Sequence, residues 1–238
     1  MVIDRADASE TRYDTQAKYT VLTFMPAKQP LSQSRPYHHG NLKQALIDMA
    51  VEVAEEKGHE EWSVREIARR LGVSSGAPFR HFPTRASLMA AIAEEATLRL
   101  RLVVERELRR AKTDEISQLK ALARGFMHWA LDNPAQFRIV SARRLFDFEA
   151  SASLAVHFNQ VRDTTMQLIN RAQLAGFLCQ QTATADLALA LRATAYGLLR
   201  MHVDGQLSQW QVSPAKQTKH VMALMDMVVD AMVLPRAR

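Results

Sequence analysis

Between Ser63 and Arg85 the chain is written as two short helices meeting at a tight turn. Ser63 and Glu66 stand at capping-box spacing: the hydroxyl accepts from the backbone N–H near Glu66, and the carboxylate reaches back to the Ser63 N–H. Val64, Ile67, Ala68 and Leu71 follow at i, i+3, i+4 and i+7, which puts one apolar stripe on one helix face. Gly72 stands where a left-handed C-cap costs glycine least, and Val73 can pin the turn inward. Ser74 is a candidate N-cap for a second helix running from Ser75 to Phe82. Pro78 falls in or near the first turn of that helix, where a missing N–H matters least, and Pro83 ends it.

A helix, a short turn with glycine and a second helix is the helix-turn-helix plan, whose second helix enters the major groove and reads base edges. Charge agrees with that use. Five arginines (65, 69, 70, 80 and 85) stand between Trp62 and Arg85 against one acid, Glu66, and phosphate binding needs such an excess. A solvated helix face is the alternative for Arg69 and Arg70.

The residues from 37 to 92 resemble the N-terminal domain of TetR-family transcriptional regulators. The resemblance is carried by Val64-Arg65-Glu66-Ile67-Ala68, by Leu71-Gly72-Val73-Ser74, and by Phe79-Arg80-His81-Phe82-Pro83-Thr84-Arg85 with Leu88 after them. The opening Tyr37-His38-His39-Gly40-Asn41-Leu42 is similar to an AcrR-like branch of that family. Ala77-Pro78 stands where Thr-Leu is usual and Phe79 where Tyr is common, so a hydroxyl and a phenol that often meet DNA are absent. The resemblance implies an all-α protein: a three-helix helix-turn-helix DNA-binding domain, then a larger helical ligand-binding and dimerisation domain. It implies that Ser74, Ser75, Gly76 and Ala77 meet the DNA, small residues letting the backbone approach base edges. Arg65 and Arg80 would reach bases or phosphates, and Phe79, His81 and Arg85 would position the backbone. Two such readers would enter successive major grooves of a palindromic operator, about 34–36 Å apart.

Composition bounds the rest. The 238 residues are 47% hydrophobic, enough for a real core, and eight glycines and eight prolines favour helix over sheet. A net charge of +6 allows a polyanion partner. The single cysteine, Cys179, excludes an intrachain disulfide and a cysteine-rich zinc site, and fits a reducing cytoplasm. A buried structural thiol is its default reading. No apolar run approaches the roughly 18 residues that a membrane span needs. Neither a cofactor motif nor a metal-ligand spacing is found, and His38-His39 reads as a polar arm beside DNA.

Residues 1–36 read as a disordered tail, with Met25 the expected natural start because 1–24 match no recognisable element. The DNA-binding domain is expected over 37–100 and the effector and dimerisation domain over 101–238, with the boundary inside the helix that Thr84 caps. Asn41 caps the first helix and Gly58 closes it, and Asp114 caps the fifth. The basic tail of the fourth helix, Arg99 to Lys112, reads as a solvated surface with i,i+4 ion pairs. Later helices are expected over 115–131, 135–147, 154–177, 185–209 and 214–234, with Phe137, Val140 and Leu145 inward on the second of these.

The last helix is apolar most of the way round. With Leu187, Leu191, Ala195 and Leu198 of the preceding helix it would build a homodimer interface, as in the family. The resemblance also implies a small-molecule effector held between C-terminal helices. Phe126, Trp129, Phe137, Phe158, Met166 and Tyr196 are the candidates, with His128 and Asn159 supplying polarity; core filling is the alternative for each. Two other classes stay in view. A helical enzyme using His128 or His202 predicts turnover without DNA, and an adaptor binding protein through the last helix predicts a heteromer.

Overall fold

The computed structural model describes residues 41–58, 61–142, 144, 146 and 151–235. The expectations for the tail, Met25, Tyr37, His38, His39 and Leu145 lie outside the described residues. The described residues form eight α-helices and no strand: α1 (Leu42–Lys57), α2 (Val64–Arg70), α3 (Arg85–Arg110), α4 (Glu115–Asp132), α5 (Pro134–Ser141), α6 (Ala152–Leu174), α7 (Thr184–Val203) and α8 (Gln217–Ala231). The fold is all-α, with an N-terminal helix-turn-helix region and a larger helical remainder. None of the described helices is long and apolar enough to cross a membrane.

Local chemistry sets the helix starts. The side chains of Asn41, Ser63 and Asp114 each accept from the backbone N–H three residues on, at 3.2, 3.2 and 2.9 Å. Thr84 does the same to Ser87 at 3.0 Å, and the Ser87 hydroxyl accepts in return from the Thr84 N–H at 3.1 Å. Ser63 lacks the expected return bond, because the Glu66 carboxylate is taken by Lys57 at 2.6 Å and Arg70 at 3.4 Å. After α2 the chain closes a Schellman turn: the Val73 N–H donates to the Ala68 carbonyl at 3.0 Å and the Gly72 N–H to that of Arg69 at 3.2 Å, with Gly72 at φ 68°.

The largest departure from expectation lies between Ser75 and Phe82, where no α-helix forms. Residues 75 and 76 are a turn, followed by a single 3₁₀ turn, Pro78–Arg80. Proline is the cause. Its ring nitrogen cannot donate to the Ser74 carbonyl, so the first α-helical bond of the expected helix is missing, although Ala77 before it keeps helical backbone at φ −61° and ψ −42°. The Ala77 N–H donates instead to the Ser74 carbonyl at 3.0 Å, and the His81 N–H to that of Pro78 at 3.0 Å, both i to i−3. Elsewhere the shifts are smaller. The 135–147 helix stops at Ser141 and buries Phe137 and Ile139, with Val140 half-buried. The 185–209 helix ends at Val203 before the left-handed Gly205, and a 3₁₀ segment, Gln206–Trp210, follows. Cys179 is half-exposed rather than buried: its Sγ donates to the Gln181 side chain at 3.2 Å, and hydrogen bonds from Thr182 and Gln181 hold its thiol below the ordinary value.

Two apolar cores form among the described residues. The first joins α1, α2 and the start of α3 (Leu46, Val53, Ile67, Leu88 and Ile92). It also takes in Ala135 and Ile139 of α5 and Leu154 of α6. The second joins the rest of α3 to α4, α6, α7 and α8. Helix α3, 26 residues and about 39 Å long, threads both. Its pairing with α4 is close enough that a Cβ on Gly125 would lie 2.8 Å from the Val104 Cα. Alanine improves on glycine by about 1 kcal/mol in an open helix. Here a backbone atom blocks it, and overpacking of this kind costs about 1–3 kcal/mol. Gly125→Ala should therefore lower the urea unfolding midpoint; a raised midpoint would show that the two helices separate freely.

Candidate nucleic-acid interface and ligand chamber

The turn from Ser74 to Phe82 is anchored by what it buries. Pro78 and Phe82 face the N-terminal core, which leaves Ser74, Ser75, Gly76, Phe79, Arg80 and His81 exposed and Ala77 half-buried. Phe79 keeps 42% of its surface open, unusual for a side chain of its size beside a formed core. Arg65 and Arg69 lie one turn apart on the outer face of α2, opposite Val64, Ile67 and Ala68, and both are exposed. The candidate DNA residues thus form one exposed run of the chain plus the outer face of the helix before it.

The five arginines have different surroundings. Arg70 is half-buried and paired, 2.7 Å from the Glu56 carboxylate and 3.4 Å from that of Glu66. These pairs, with Lys57, tie α2 to the end of α1. Arg85 is half-buried in the first turn of α3, its guanidinium 4.6 Å from the centre of the Trp62 ring. Trp62 precedes the Ser63 cap and shares the core with Ile67, the positions of a hydrophobic staple. Its role as a platform for Arg85 was not read from the sequence, although the staple spacing is visible there. A cation at a helix N-terminus opposes the helix dipole, and stacking on an aromatic face offsets part of that cost. Arg65, Arg69 and Arg80 form no ion pair among the described residues.

Five of the effector candidates converge. Phe126 and Trp129 of α4, Phe137 of α5, Phe158 of α6 and Tyr196 of α7 line a chamber of about 140 Å³. The rings touch: 6.1 Å between the Phe126 and Trp129 centroids, 6.4 Å between Trp129 and Phe137, and 5.6 Å between Phe137 and Tyr196. Met166 lies apart from them, in an open cleft of about 810 Å³ between α6 and α7 that Phe158 also borders. His128 does not join them. It stands on the outer side of α4, 4.0 Å from the Glu107 carboxylate and 43% exposed, because it lies off the stripe that carries Phe126 and Trp129 inward. Neither Asn159 nor His202 lines the chamber or the cleft. Burial holds the His202 imidazole below its ordinary value, which favours the neutral form.

Arg192 is the residue that sequence reading missed. It borders both chamber and cleft, its guanidinium 4.9 Å from the centre of the Phe126 ring and 5.2 Å from that of Phe158. A signal existed: Ala188, Arg192 and Tyr196 recur at i, i+4 and i+8, a row beside the buried Leu191–Ala195 row. No group of three or more His, Cys, Asp or Glu side chains that could hold a metal occurs among the described residues.

Comparisons with known proteins agree in both halves. The profile of bacterial regulatory proteins of the tetR family matches residues 46–92, and that of tetracyclin repressor-like C-terminal domains matches 119–228. A nucleoid occlusion factor, SlmA, of Haemophilus influenzae strain PittGG is 27% identical over 123 residues, 50% of this chain and 54% of that protein. The chain thus spans about half the length of the curated relatives it matches. Among solved structures, a protein of unknown function from Rhodococcus sp. RHA1 superimposes with a TM-score of 0.68 at 27% identity, covering 84% of this chain and all of the other. A tetR-family regulatory protein from Rhodococcus RHA1 shares the fold, with a TM-score of 0.63 at 23% identity, covering 82% of this chain and 97% of that one.

The Arg70 cluster makes a prediction whose sign is fixed. The Arg70 and Lys57 cations hold the Glu56 and Glu66 carboxyls below the ordinary value. Lowered carboxyl pKa values stabilise the fold above the unfolded-state pKa, and that contribution is lost as pH falls through the folded values. Arg70→Met should therefore be less stable than the parent at neutral pH, with the gap closing in acid; a gap independent of pH in urea titrations would remove this role.

Proposed function

This chain belongs to the TetR family of bacterial regulatory proteins, and on that premise we propose that it is a cytoplasmic, dimeric repressor released from its operator by a small organic effector. The observation that carries the proposal is the sharing of two helices between the cores. Helix α5 places Phe137 and Ser141 at the ligand chamber, while Ala135 and Ile139 on the same eight-residue helix are buried in the N-terminal core. Helix α3 begins under the reader turn and ends in the second core. A ligand that displaces α5 thus acts on the N-terminal core through α1 and α3, against which α5 packs, and α1 in turn packs against the Pro78–Arg80 turn. The effector weakens DNA binding only by the difference in its affinity for the two arrangements.

The division we propose keeps 37–100 as the reader and 101–238 as the effector and dimer domain, with α3 crossing between them. Ser74, Ser75, Gly76 and Ala77 approach the base edges. Arg65 and Arg80 contact bases or phosphates, and Phe79, His81 and Arg85 hold the backbone. A single tight turn presents fewer side chains than a full helix, so shape and backbone approach carry more of the specificity.

For the dimer we favour α7 and α8 with a corrected set of residues. Leu191 and Ala195 are buried within the subunit. Ala190, Ala193, Thr194 and Gly197 instead occupy one outward row at i, i+3, i+4 and i+7, where small residues let a second helix come close. Met227 of α8, 57% exposed, lies on an outward face with Ala223 and Ala231. The family and fold are those of regulators, and we read the chain as having no catalytic activity of its own.

Selection of bound duplexes from a random pool, with purified full-length protein at a fixed salt concentration, tests the proposal. A palindromic motif with half-sites one helical turn apart is expected. A monomer that ignores duplex DNA even at low salt would end it. Within that assay, Arg85→Ala should weaken all sequences alike and reduce the salt slope by about one. Arg80→Ala tests base contact, since a loss confined to the selected motif marks readout and a uniform loss marks phosphate.

A further inference from the structure

We propose that Phe79 is a specificity-determining residue whose ring covers the C5-methyl group of a thymine in each operator half-site. The inference rests on the reading of the turn from Ser74 to Phe82 as the DNA reader and adds the base that Phe79 selects.

Placement comes first. Pro78, Phe79 and Arg80 form a single 3₁₀ turn in which the first residue is buried and the other two are exposed. The Pro78 carbonyl accepts from the His81 N–H at 3.0 Å and from the Phe82 N–H at 2.9 Å, which closes the backbone around Phe79. On one side Pro78 has a fixed φ, and on the other Phe82 is buried in the N-terminal core. Phe79 itself belongs to neither core. Among the described residues from 41 to 100, no other large apolar side chain is as exposed. Its ring thus stands at a defined place on the reader with apolar area that a second molecule gains by covering.

Chemistry comes second. In the major groove, arginine or lysine suits guanine, asparagine or glutamine suits adenine, and a carboxylate suits cytosine. Thymine is marked by its methyl group, which takes apolar contacts. From Ser74 to His81 the chain has no asparagine, glutamine, aspartate or glutamate. Arg80 suits guanine, and the serines bond to either kind of group. The apolar residues of the run are Ala77, which is half-buried, Pro78, which is buried, and Phe79. A phenyl ring has no hydrogen to give to a phosphate. What it can hold of the DNA backbone is the carbon face of a sugar. Of the bases, it matches the one that carries an apolar group on its major-groove edge.

The test uses the full-length protein and the duplex obtained by selection from a random pool, with binding followed by fluorescence anisotropy at fixed salt. Each thymine of a half-site is replaced in turn by deoxyuridine, which removes the methyl group and leaves the pairing intact. At one position the loss should be about fourfold, the worth of one covered methyl-sized group, and about sixteenfold when both half-sites are changed. Phe79→Ala should bind the thymine and deoxyuridine duplexes equally at that position, with its salt slope unchanged because no counterion contact is lost. Phe79→Leu should keep part of the difference. Circular dichroism and thermal melting check that the variants fold; if the Ala variant does not, the deoxyuridine scans of the parent and of the Leu variant decide. A parent that tolerates deoxyuridine at every position overturns the thymine assignment and leaves DNA binding standing. Sensitivity to deoxyuridine that survives Phe79→Ala overturns the role of Phe79, and so does a salt slope that falls in that variant. If no duplex is selected at all, the reading of the turn as a DNA reader fails, and this inference with it.

Discussion

The close approach of α3 to α4, made possible by the bare Cα of Gly125 against Val104, is the contact on which the rest of the molecule depends. A long helix can belong to two cores only if something grips it along its length. At its N-terminal end α3 is held by the apolar faces of α1 and α2. Further along, α4 lies against it, with Leu119, Leu122 and Phe126 packed in the same core as Leu100 and Val104. Glycine in mid-helix sacrifices about 1 kcal/mol of helix propensity relative to alanine. The contact returns more than that, because α4 brings Phe126 and Trp129 into the chamber wall at the same time. The helix that supports the reader and the wall that would sense a ligand are therefore packed against each other.

At Pro78 two requirements compete, and one wins. A full recognition helix would present more side chains to a groove, but a helix of eight residues is marginal without tertiary support, and an internal proline costs about 3 kcal/mol. Burying Pro78 and Phe82 in the first core supplies the support, and the lost α-helical bonds are replaced by i to i−3 bonds. The outcome is a compact turn whose outward residues are small or basic except for Phe79, which is 42% exposed. An apolar anchor lies beneath, and a short exposed loop lies above.

What could be read from the sequence follows the range of the interaction concerned. The caps at Asn41, Ser63, Thr84 and Asp114 and the Gly72 turn depend on residues within five positions of each other, and all were legible. The apolar stripe of α2 was legible for the same reason. The Ser75–Phe82 helix was misread because capping signals were weighed above the local veto of Pro78, which was also in view. Gly125 was passed over because its meaning lies in Val104, on another helix. Arg192 was missed because its setting is made by rings from α4 and α6, which no local pattern brings together. His128 was placed in the site by type and proximity in sequence, yet its position on the helix wheel turns it toward Glu107. Of the expected dimer residues, Leu191 and Ala195 lie on a row that the subunit keeps for its own core.

The arginines show how far surroundings decide the use of one residue type. Arg70, between two carboxylates, is part of the scaffold; its positive charge is matched before any ligand arrives. Arg65, Arg69 and Arg80 project into water from the reader, where a polyanion can displace counterions from them. Arg85 stands between these cases, half-buried at the start of α3 with its guanidinium over the Trp62 ring. Arg192 is set among rings, its guanidinium close to Phe126 and Phe158. Counting basic residues along the chain treats these as equivalent. Only their packing separates the cation that ties two helices together from those left in water and those set against rings.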